Sequence, residues 1–204
     1  MIKNIIFDMG QVLIHWRPYM FTSTSDLSQE EEQLLTKELF SNIEWPQLDR
    51  GTISEEDATA SVCARLPEKF HPMVEEIIFG WWKRPLVPME VMADVIKELK
   101  ENGYKIYLLS NASIHLREYF SRIPGSEYFD GLLVSAEEKL LKPQHEIFET
   151  LFERFSLNPE ECFFVDDSPY NIEGAHCCGM QGAVFHGDVE ELRYNMQNAG
   201  IRIE

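Results

Sequence analysis

Three carboxylates and one lysine stand at positions from which they could act together. Asp8 follows the first apolar run of the chain, and the adjacent pair Asp166 and Asp167 follows a later run. Lys142 precedes the helix-like stretch that leads into that later run. Carboxylates that meet at one site need positive charge to offset their mutual repulsion, and hard oxygen ligands favour magnesium. A metal and a lysine together neutralise phosphoryl oxygens, and an aspartate can attack phosphorus, so this set indicates phosphoryl transfer.

Ser110 and Asn111 supply polar groups of a second kind, directly after the apolar run KIYLL. A helix that opens after them would offer free backbone N–H groups to a phosphate. Each of these short motifs, taken alone, also has a purely structural explanation, because Asp, Ser and Asn cap helices and turns. Their joint occurrence, in order and at strand ends, favours the functional interpretation.

Five short apolar runs predict the strands of a parallel sheet that is buried on both faces. Amphipathic stretches alternate with them and predict helices at Val91–Glu101, Gln144–Phe155 and Ser168–Cys178. This alternation is typical of an α/β fold with a doubly wound, Rossmann-like parallel sheet, whose ligands bind beyond the carboxyl ends of the strands. The predicted strands are Ile2–Phe7, Lys105–Leu109, Leu132–Ser135, Cys162–Val165 and Gly182–Phe185.

The first connection departs from this alternation. Between His15 and Pro85 there is no strand-like run of comparable strength, and about seventy residues are too many for a simple crossover. We therefore predict a small helical domain over residues 16–86, inserted into a core formed by residues 1–15 and 87–204. Its predicted helices are Glu30–Phe40, Ser54–Leu66 and Val74–Trp82, with Ser54 capping the second.

The four segments FDMGQVLI, YLLSNAS, LLKPQHEIF and FFVDDSPYN resemble, in this order, the four motifs of the haloacid dehalogenase superfamily. The inserted helical domain is similar in position to the cap domain of that family. The resemblance implies that Asp8 is the nucleophile and that Lys142 stabilises the phosphoryl charge. It also implies that Ser110 and Asn111 hold the phosphoryl group.

The resemblance also implies a metal cofactor and a substrate class. Asp8 and Asp167 would bind Mg²⁺, with Asp166 ligating directly or through water and the backbone carbonyl of Gly10 as a further ligand. The implied activity is that of a magnesium-dependent phosphatase, which hydrolyses small phosphorylated metabolites through an aspartyl-phosphate.

Gly10 is a departure from the family pattern. Most phosphatases of the superfamily carry a second Asp there, which protonates the leaving group and later activates water; its loss would cost roughly two to four powers of ten in rate. The bacterial α-D-glucose-1-phosphate phosphatase-like group shares this glycine and has a cap stretch similar to Leu48–Ala58. The resemblance is closest to that group, which makes sugar 1-phosphates candidate substrates. An anomeric hydroxyl is more acidic than an ordinary alcohol, so it needs less protonation by an acid in order to leave. His15 is a candidate substitute acid.

Two other functions compete with this one. A metal-independent dehalogenase of the same superfamily would also lack an acid at position 10, but it would gain nothing from the pair Asp166 and Asp167. A catalytically weak protein that binds a phosphate or a partner would fit Gly10, but it would not need both Asp8 and Lys142.

Composition limits the partners and the compartment. The net charge of -17 and the pI of about 4.7 make nucleic acid and anionic membrane surfaces poor partners. The chain shows no signal-peptide pattern and no apolar run of membrane-spanning length. Its four cysteines form no CxxC pair, so we expect free thiols in the cytoplasm. A monomer or a homodimer is compatible with these features.

Overall fold

The computed structural model describes residues 1–23 and 26–204, and its centre is one parallel sheet with the strand order β3-β2-β1-β4-β5. This topology confirms the predicted doubly wound α/β fold. Each strand lies within one or two residues of the apolar run that predicted it. The strands are β1 (Asn4–Phe7), β2 (Lys105–Ser110), β3 (Gly131–Val134), β4 (Cys162–Asp166) and β5 (Gln181–Val184).

The register of the central strands brings the polar strand ends together. Phe7 pairs with Leu108 on one side and with Val165 on the other. Because the strands are parallel and in this register, the residues that follow them emerge at the same edge of the sheet. Side chains alternate along β1, so that Ile5 and Ile6 enter separate apolar cores on the two faces of the sheet.

Helices cover both faces of the sheet. Three of them, α6, α9 and α10, were predicted; α7 and α8 have only four residues each, and α11 has a more polar sequence. No helix follows Ser110–Asn111 directly: residues 111–115 form a loop before the short α7, so the predicted helix start at this point was wrong. These helices are α6 (Glu90–Glu101), α7 (Leu116–Tyr119), α8 (Ser135–Glu138), α9 (His145–Phe155), α10 (Pro169–Cys177) and α11 (Val189–Asn198).

The segment between β1 and α6 is helical and contains no strand among its described residues. Ser54 caps one of its helices by accepting a hydrogen bond from the Asp57 N–H, as its sequence predicted. Within its described residues, the α-helices are α1 (Tyr19–Thr22), α2 (Gln29–Phe40), α3 (Glu44–Arg50), α4 (Glu55–Cys63) and α5 (His71–Ile78). Throughout the described residues, no helix is long and apolar enough to cross a membrane.

The carboxyl end of α3 is attached to the core at α8. Ser135 Oγ donates a hydrogen bond to the carbonyl of Asp49, and Lys139 Nζ donates one to the carbonyl of Gly51. Gly51 has a φ of 68°, and a Cβ there would lie 2.4 Å from the carbonyl oxygen of Ala136. The approach of the two backbones therefore requires glycine. This attachment places the end of α3 above the carboxyl edge of the sheet.

Candidate active site

Three carboxylates converge at the carboxyl edge of the sheet. Asp8 directly follows β1, and its N–H extends the strand pairing by donating to the carbonyl of Val165 at 2.9 Å. Asp166 ends β4, and Asp167 follows it. One carboxylate oxygen from each of the three aspartates lies within 4.8 Å of the others. The sheet register thus assembles the acidic cluster that the sequence predicted.

Lys142 lies buried beneath this cluster and contacts two of its members. Its Nζ is 2.8 Å from Asp8 Oδ1 and 2.6 Å from Asp166 Oδ2, and it donates to the carbonyl of Leu109 at 2.9 Å. Burial by itself would lower the pKa of Lys142, but the charges of Asp166 and Asp8 raise it, so the ammonium stays protonated. Burial raises the pKa of Asp8, and the Lys142 ammonium opposes that rise.

The Asn111 side chain holds the backbone of Lys142. Its Oδ1 accepts from the Lys142 N–H at 2.8 Å, and its Nδ2 donates to the Lys142 carbonyl at 3.1 Å. The amide is therefore occupied in positioning the lysine. Ser110 is buried at the end of β2 and, like Asn111, faces the cavity described below.

Asp166 is fully buried, and both of its oxygens are saturated with hydrogen bonds. Oδ1 accepts from the Ser168 N–H and from Asn171 Nδ2, while Oδ2 accepts from Lys142 Nζ and from Asn171 Nδ2. Asn171 was not identified from the sequence. Its only signal was its position in the first turn of the helix that follows the Asp pair.

The residues present fit a magnesium ion. Partial burial and the neighbouring Asp166 raise the pKa of Asp167, which is the most exposed of the three aspartates. The single ammonium of Lys142 leaves three carboxylates incompletely neutralised, and carboxylate oxygens are donors that Mg²⁺ prefers. The carbonyl oxygen of Gly10 accepts no hydrogen bond from any described residue, so it too is free to bind a cation.

A cavity of about 170 Å³ opens above the acidic cluster, and its other walls are largely aromatic. The ring centroids of Trp16 and Trp81 are 4.5 Å apart, and those of Trp16 and Trp45 are 5.8 Å apart. Tyr119 lines the cavity from the core. No lysine or arginine is among the described residues that line it. Lys142 lies behind Asp8, outside this lining, and supplies the positive charge next to the acidic cluster.

Asp49 lines the same cavity from the end of α3. Its carboxyl forms no hydrogen bond or ion pair with any described residue. Burial, together with the negative charge of Asp8, raises the pKa of Asp49 to about 8. The residue is half-buried, and it contributes to the lining of the cavity. The sequence included Asp49 in a stretch similar to a family cap, without a role.

His15 does not reach the cavity. It is exposed, its N–H donates to the carbonyl of Val87, and it lines a separate depression beside Arg84. The prediction that it replaces the missing acid is therefore not supported by its position. Trp82 also lies elsewhere and stacks on His115 with the ring centroids 3.5 Å apart.

A parallel sheet that gathers an aspartate, a buried lysine and an acidic pair at its carboxyl edge defines a class of α/β hydrolases. Residues 2–179 match the haloacid dehalogenase-like hydrolase family, and the chain belongs to this family. The chain is an enzyme of the hydrolase class, with relatives that are named phosphatases.

Similarity to individual proteins extends over most of the chain. The sesquiterpene phosphatase astK of Aspergillus oryzae is 28% identical over 186 residues, which cover 88% of each chain. A HAD family enzyme from Bacteroides thetaiotaomicron, solved as a magnesium complex, is 25% identical with a TM-score of 0.68 and covers 94% of this chain and 98% of its own. The L-2-haloacid dehalogenase of Xanthobacter autotrophicus shares the fold at 18% identity, with a TM-score of 0.67 over 98% of this chain and 84% of its own.

Proposed function

We propose that the protein is a magnesium-dependent phosphatase that hydrolyses small phosphate monoesters through an aspartyl-phosphate on Asp8. One observation carries this proposal: Lys142 Nζ joins Asp8 and Asp166, with Asp167 beside them, at the carboxyl edge of the sheet. This is the charge arrangement that transfer of a phosphoryl group needs. The similarity to a named phosphatase and to a magnesium-bound family member supports the same function.

In the proposed reaction, one carboxylate oxygen of Asp8 attacks phosphorus, and the bond from phosphorus to the leaving oxygen breaks. Lys142 holds the attacking carboxylate in place and offsets negative charge on the phosphoryl group. Ser110 and Asn111 line the cavity where the phosphoryl oxygens would lie, and both residues would contact these oxygens. Because the Asn111 side chain holds Lys142, Asn111 would make this contact through its backbone. Water then cleaves the aspartyl-phosphate and releases inorganic phosphate.

The proposed metal site consists of Asp8, Asp167 and the carbonyl of Gly10, with Asp166 acting through water. Asp166 is assigned this indirect role because both of its oxygens already accept two hydrogen bonds each. The ion, when bound, neutralises phosphoryl charge as a Lewis acid.

We further propose that residues 16–86 act as a cap over a catalytic core formed by residues 1–15 and 87–204. In support, Trp45 and Asp49 on α3 line the cavity together with core residues such as Asp8 and Ser110. A substrate in this cavity would be enclosed between the two parts of the chain.

The cavity favours substrates whose organic part is uncharged. Trp16, Trp45 and Trp81 present aromatic surface, and no described lysine or arginine in the lining would bind a second anionic group. Aromatic rings stack on the apolar faces of sugars and also pack against hydrocarbon chains. Sugar 1-phosphates, suggested by the resemblance to the α-D-glucose-1-phosphate phosphatase-like group, and isoprenoid phosphates, suggested by astK, are therefore the candidate classes.

The test is phosphate release from a substrate panel with Mg²⁺ and with EDTA. The panel holds sugar 1-phosphates, isoprenoid monophosphates, sugar bisphosphates and nucleotides, and chloride release from 2-chloropropionate serves as the dehalogenase assay. We expect magnesium-dependent release from the uncharged classes and its loss in Asp8→Asn. The matched control is Asp94→Asn, an exposed aspartate on α6. Release that needs no metal, or that survives in Asp8→Asn, would contradict the proposal.

A further inference from the structure

The cavity contains one carboxyl group that the proposed mechanism does not use. We propose that Asp49 supplies the acid that Gly10 lacks: its carboxyl donates a proton to the leaving-group oxygen, and the resulting carboxylate then takes a proton from the attacking water. This inference rests on the proposed function, because it assigns a further residue to the same reaction.

The position of Asp49 is the first support. Asp49 shares the cavity with Asp8, Ser110 and Asp167, and so lies where a phosphate ester would meet the proposed nucleophile. Within the described chain its carboxyl has neither a hydrogen-bond partner nor an ion-pair partner. The carboxyl is half-buried and lines the cavity without a protein partner. A purely structural role would provide that partner, whereas an acid that must meet a substrate atom needs the carboxyl free.

The other polar groups around the cavity are occupied or misplaced. Gln11 Oε1 accepts from the Trp16 N–H at 2.8 Å, and the Tyr119 hydroxyl donates to Met9 Sδ at 3.5 Å. His15 is exposed outside the cavity. Beyond the acidic cluster itself, Asp49 is thus the one carboxyl among the described lining residues.

The backbone around Asp49 is held in place from the core. The carbonyl of Asp49 accepts a hydrogen bond from Ser135, the first residue of α8. The carbonyl of Gly51 accepts one from Lys139, which directly follows α8. General acid catalysis requires the donor within hydrogen-bond reach of the leaving oxygen. These two hydrogen bonds, one on each side of Arg50, restrain the main chain that carries the Asp49 carboxyl. Asp49 is therefore held against the core although it lies in the proposed cap.

Its surroundings also favour the protonated form. Burial and the charge of Asp8 raise the pKa of Asp49 to about 8, so the carboxyl keeps its proton near neutral pH. The titratable groups that share its cavity are Asp8, Asp167 and Tyr119, and Lys142 lies beneath Asp8. None of the lining groups is a cation that would stabilise the carboxylate.

With Asp49 as acid and then as base, every proton transferred in the reaction has a donor and an acceptor. As Asp8 bonds to phosphorus, the electron pair of the breaking P–O bond moves to the leaving oxygen, which takes the proton of Asp49 and departs as an alcohol. The Asp49 carboxylate then removes a proton from water as the water oxygen attacks phosphorus. The bond between Asp8 and phosphorus breaks, and phosphate, the Asp8 carboxylate and protonated Asp49 are regenerated.

The experiment measures kcat/KM of the wild type and of Asp49→Asn with phenyl phosphate and 4-nitrophenyl phosphate in the presence of Mg²⁺. The nitrophenolate ion leaves without a proton, whereas phenolate is a poorer leaving group. We expect a loss of about 100-fold or more for phenyl phosphate and only about threefold for 4-nitrophenyl phosphate, because only the first needs the acid. Asp57→Asn, an exposed cap aspartate, is the matched control and should change neither value.

Two further measurements separate catalysis from folding. The melting temperature of Asp49→Asn should match or exceed that of the wild type, and Asp49→Glu should restore part of the lost rate on phenyl phosphate. With phenyl phosphate, kcat/KM of the wild type should fall on the alkaline side of the pH profile as Asp49 loses its proton, and this fall should be absent in Asp49→Asn.

The outcomes distinguish this inference from the proposed function. A wild type without magnesium-dependent phosphate release would overturn the proposed function. An active wild type whose Asp49→Asn variant loses the same factor on both esters, or loses nothing, would overturn the role of Asp49 alone.

Discussion

A Cβ atom on Gly10 would lie 3.7 Å from the Cβ of Trp16, an ordinary van der Waals distance. The φ of Gly10 is outside the left-handed region that favours glycine. The backbone therefore does not require a glycine at this position, although the equivalent position in most family phosphatases carries an acid. The absence of that acid is a feature of the chemistry of the site rather than a demand of the fold.

Gly10→Asp should consequently be accepted by the fold and should act as an acid. In an Asp49→Asn background, we expect it to recover at least about tenfold in kcat/KM for phenyl phosphate, because general acid catalysis contributes two to four powers of ten. The measurement is steady-state kinetics on the single and double variants. Gly10→Asn is the control, since it has the same size without a proton to donate. Equal rates for the two double variants would show that an acid at position 10 cannot reach the leaving group.

Replacement of Lys142 should weaken both stability and activity. Lys142→Met leaves Asp8 and the fully buried Asp166 without their shared cation, which costs about 3 kcal/mol or more in the free energy of unfolding. Urea denaturation in EDTA measures this loss. Lys97→Met, an exposed lysine on α6 that lies 3.9 Å from Glu101, is the control and should cost less than about 1 kcal/mol. A Lys142 variant as stable as the control would contradict the buried ion pairs.

Removal of Asp167 should affect metal binding more than folding. Asp167 is exposed and forms no ion pair with a described residue, so Asp167→Ala should melt within a few degrees of the wild type. We expect at least about a tenfold weaker Mg²⁺ affinity by isothermal titration calorimetry, because metal binding depends on the charge and number of ligands. Asp94→Ala on α6 should bind Mg²⁺ as the wild type does. Unchanged affinity in Asp167→Ala would remove this residue from the metal site.

Asp49 should make the metal-free protein less stable as the pH rises. The folded state keeps this proton up to about pH 8, whereas the ordinary carboxyl pKa is 3.8, so the folded state binds more protons between these values. Stability that depends on this proton is complete below the lower value and is lost as the pH rises through the upper one. The melting temperature of Asp49→Asn, measured in EDTA, should therefore rise relative to the wild type between about pH 5 and about pH 8. A difference that is constant with pH would argue against a raised pKa.

Gly51→Ala should disturb the attachment of α3 to α8, and Gly103→Ala provides the comparison. Both glycines have positive φ, 68° and 89°, but a Cβ at Gly51 would lie 2.4 Å from the Ala136 carbonyl, whereas one at Gly103 meets nothing within 4 Å. The backbone strain of about 1 kcal/mol is common to both variants, and the steric clash is confined to Gly51. We expect a larger fall in melting temperature, and a larger fall in kcat/KM, for Gly51→Ala. Equal falls would mean that the contact with α8 does not position Asp49.

The sequence by itself determined the sheet and the acidic cluster. The run Ile106–Leu109 is apolar on both faces, which is typical of a strand that is buried in a parallel sheet. Once the strands are parallel, the residues after them share one edge, so Asp8, Asp166 and Asp167 had to meet. Helices with a strong apolar period, such as α6 and α9, were predictable for the same local reason.

Only the tertiary structure decided what surrounds that cluster. Asp49 reaches the cavity because α3 is attached to α8 through contacts across 86 residues of sequence, as between Ser135 and the Asp49 carbonyl. The family resemblance assigned Asn111 to the phosphoryl group, and the structure adds that its side-chain amide holds the backbone of Lys142, 31 residues away. No local pattern encodes such pairs, because each depends on how separate segments pack. The sequence therefore specified the charges at the strand ends, while the packing of α3 against α8 determined which further groups line the cavity beside them.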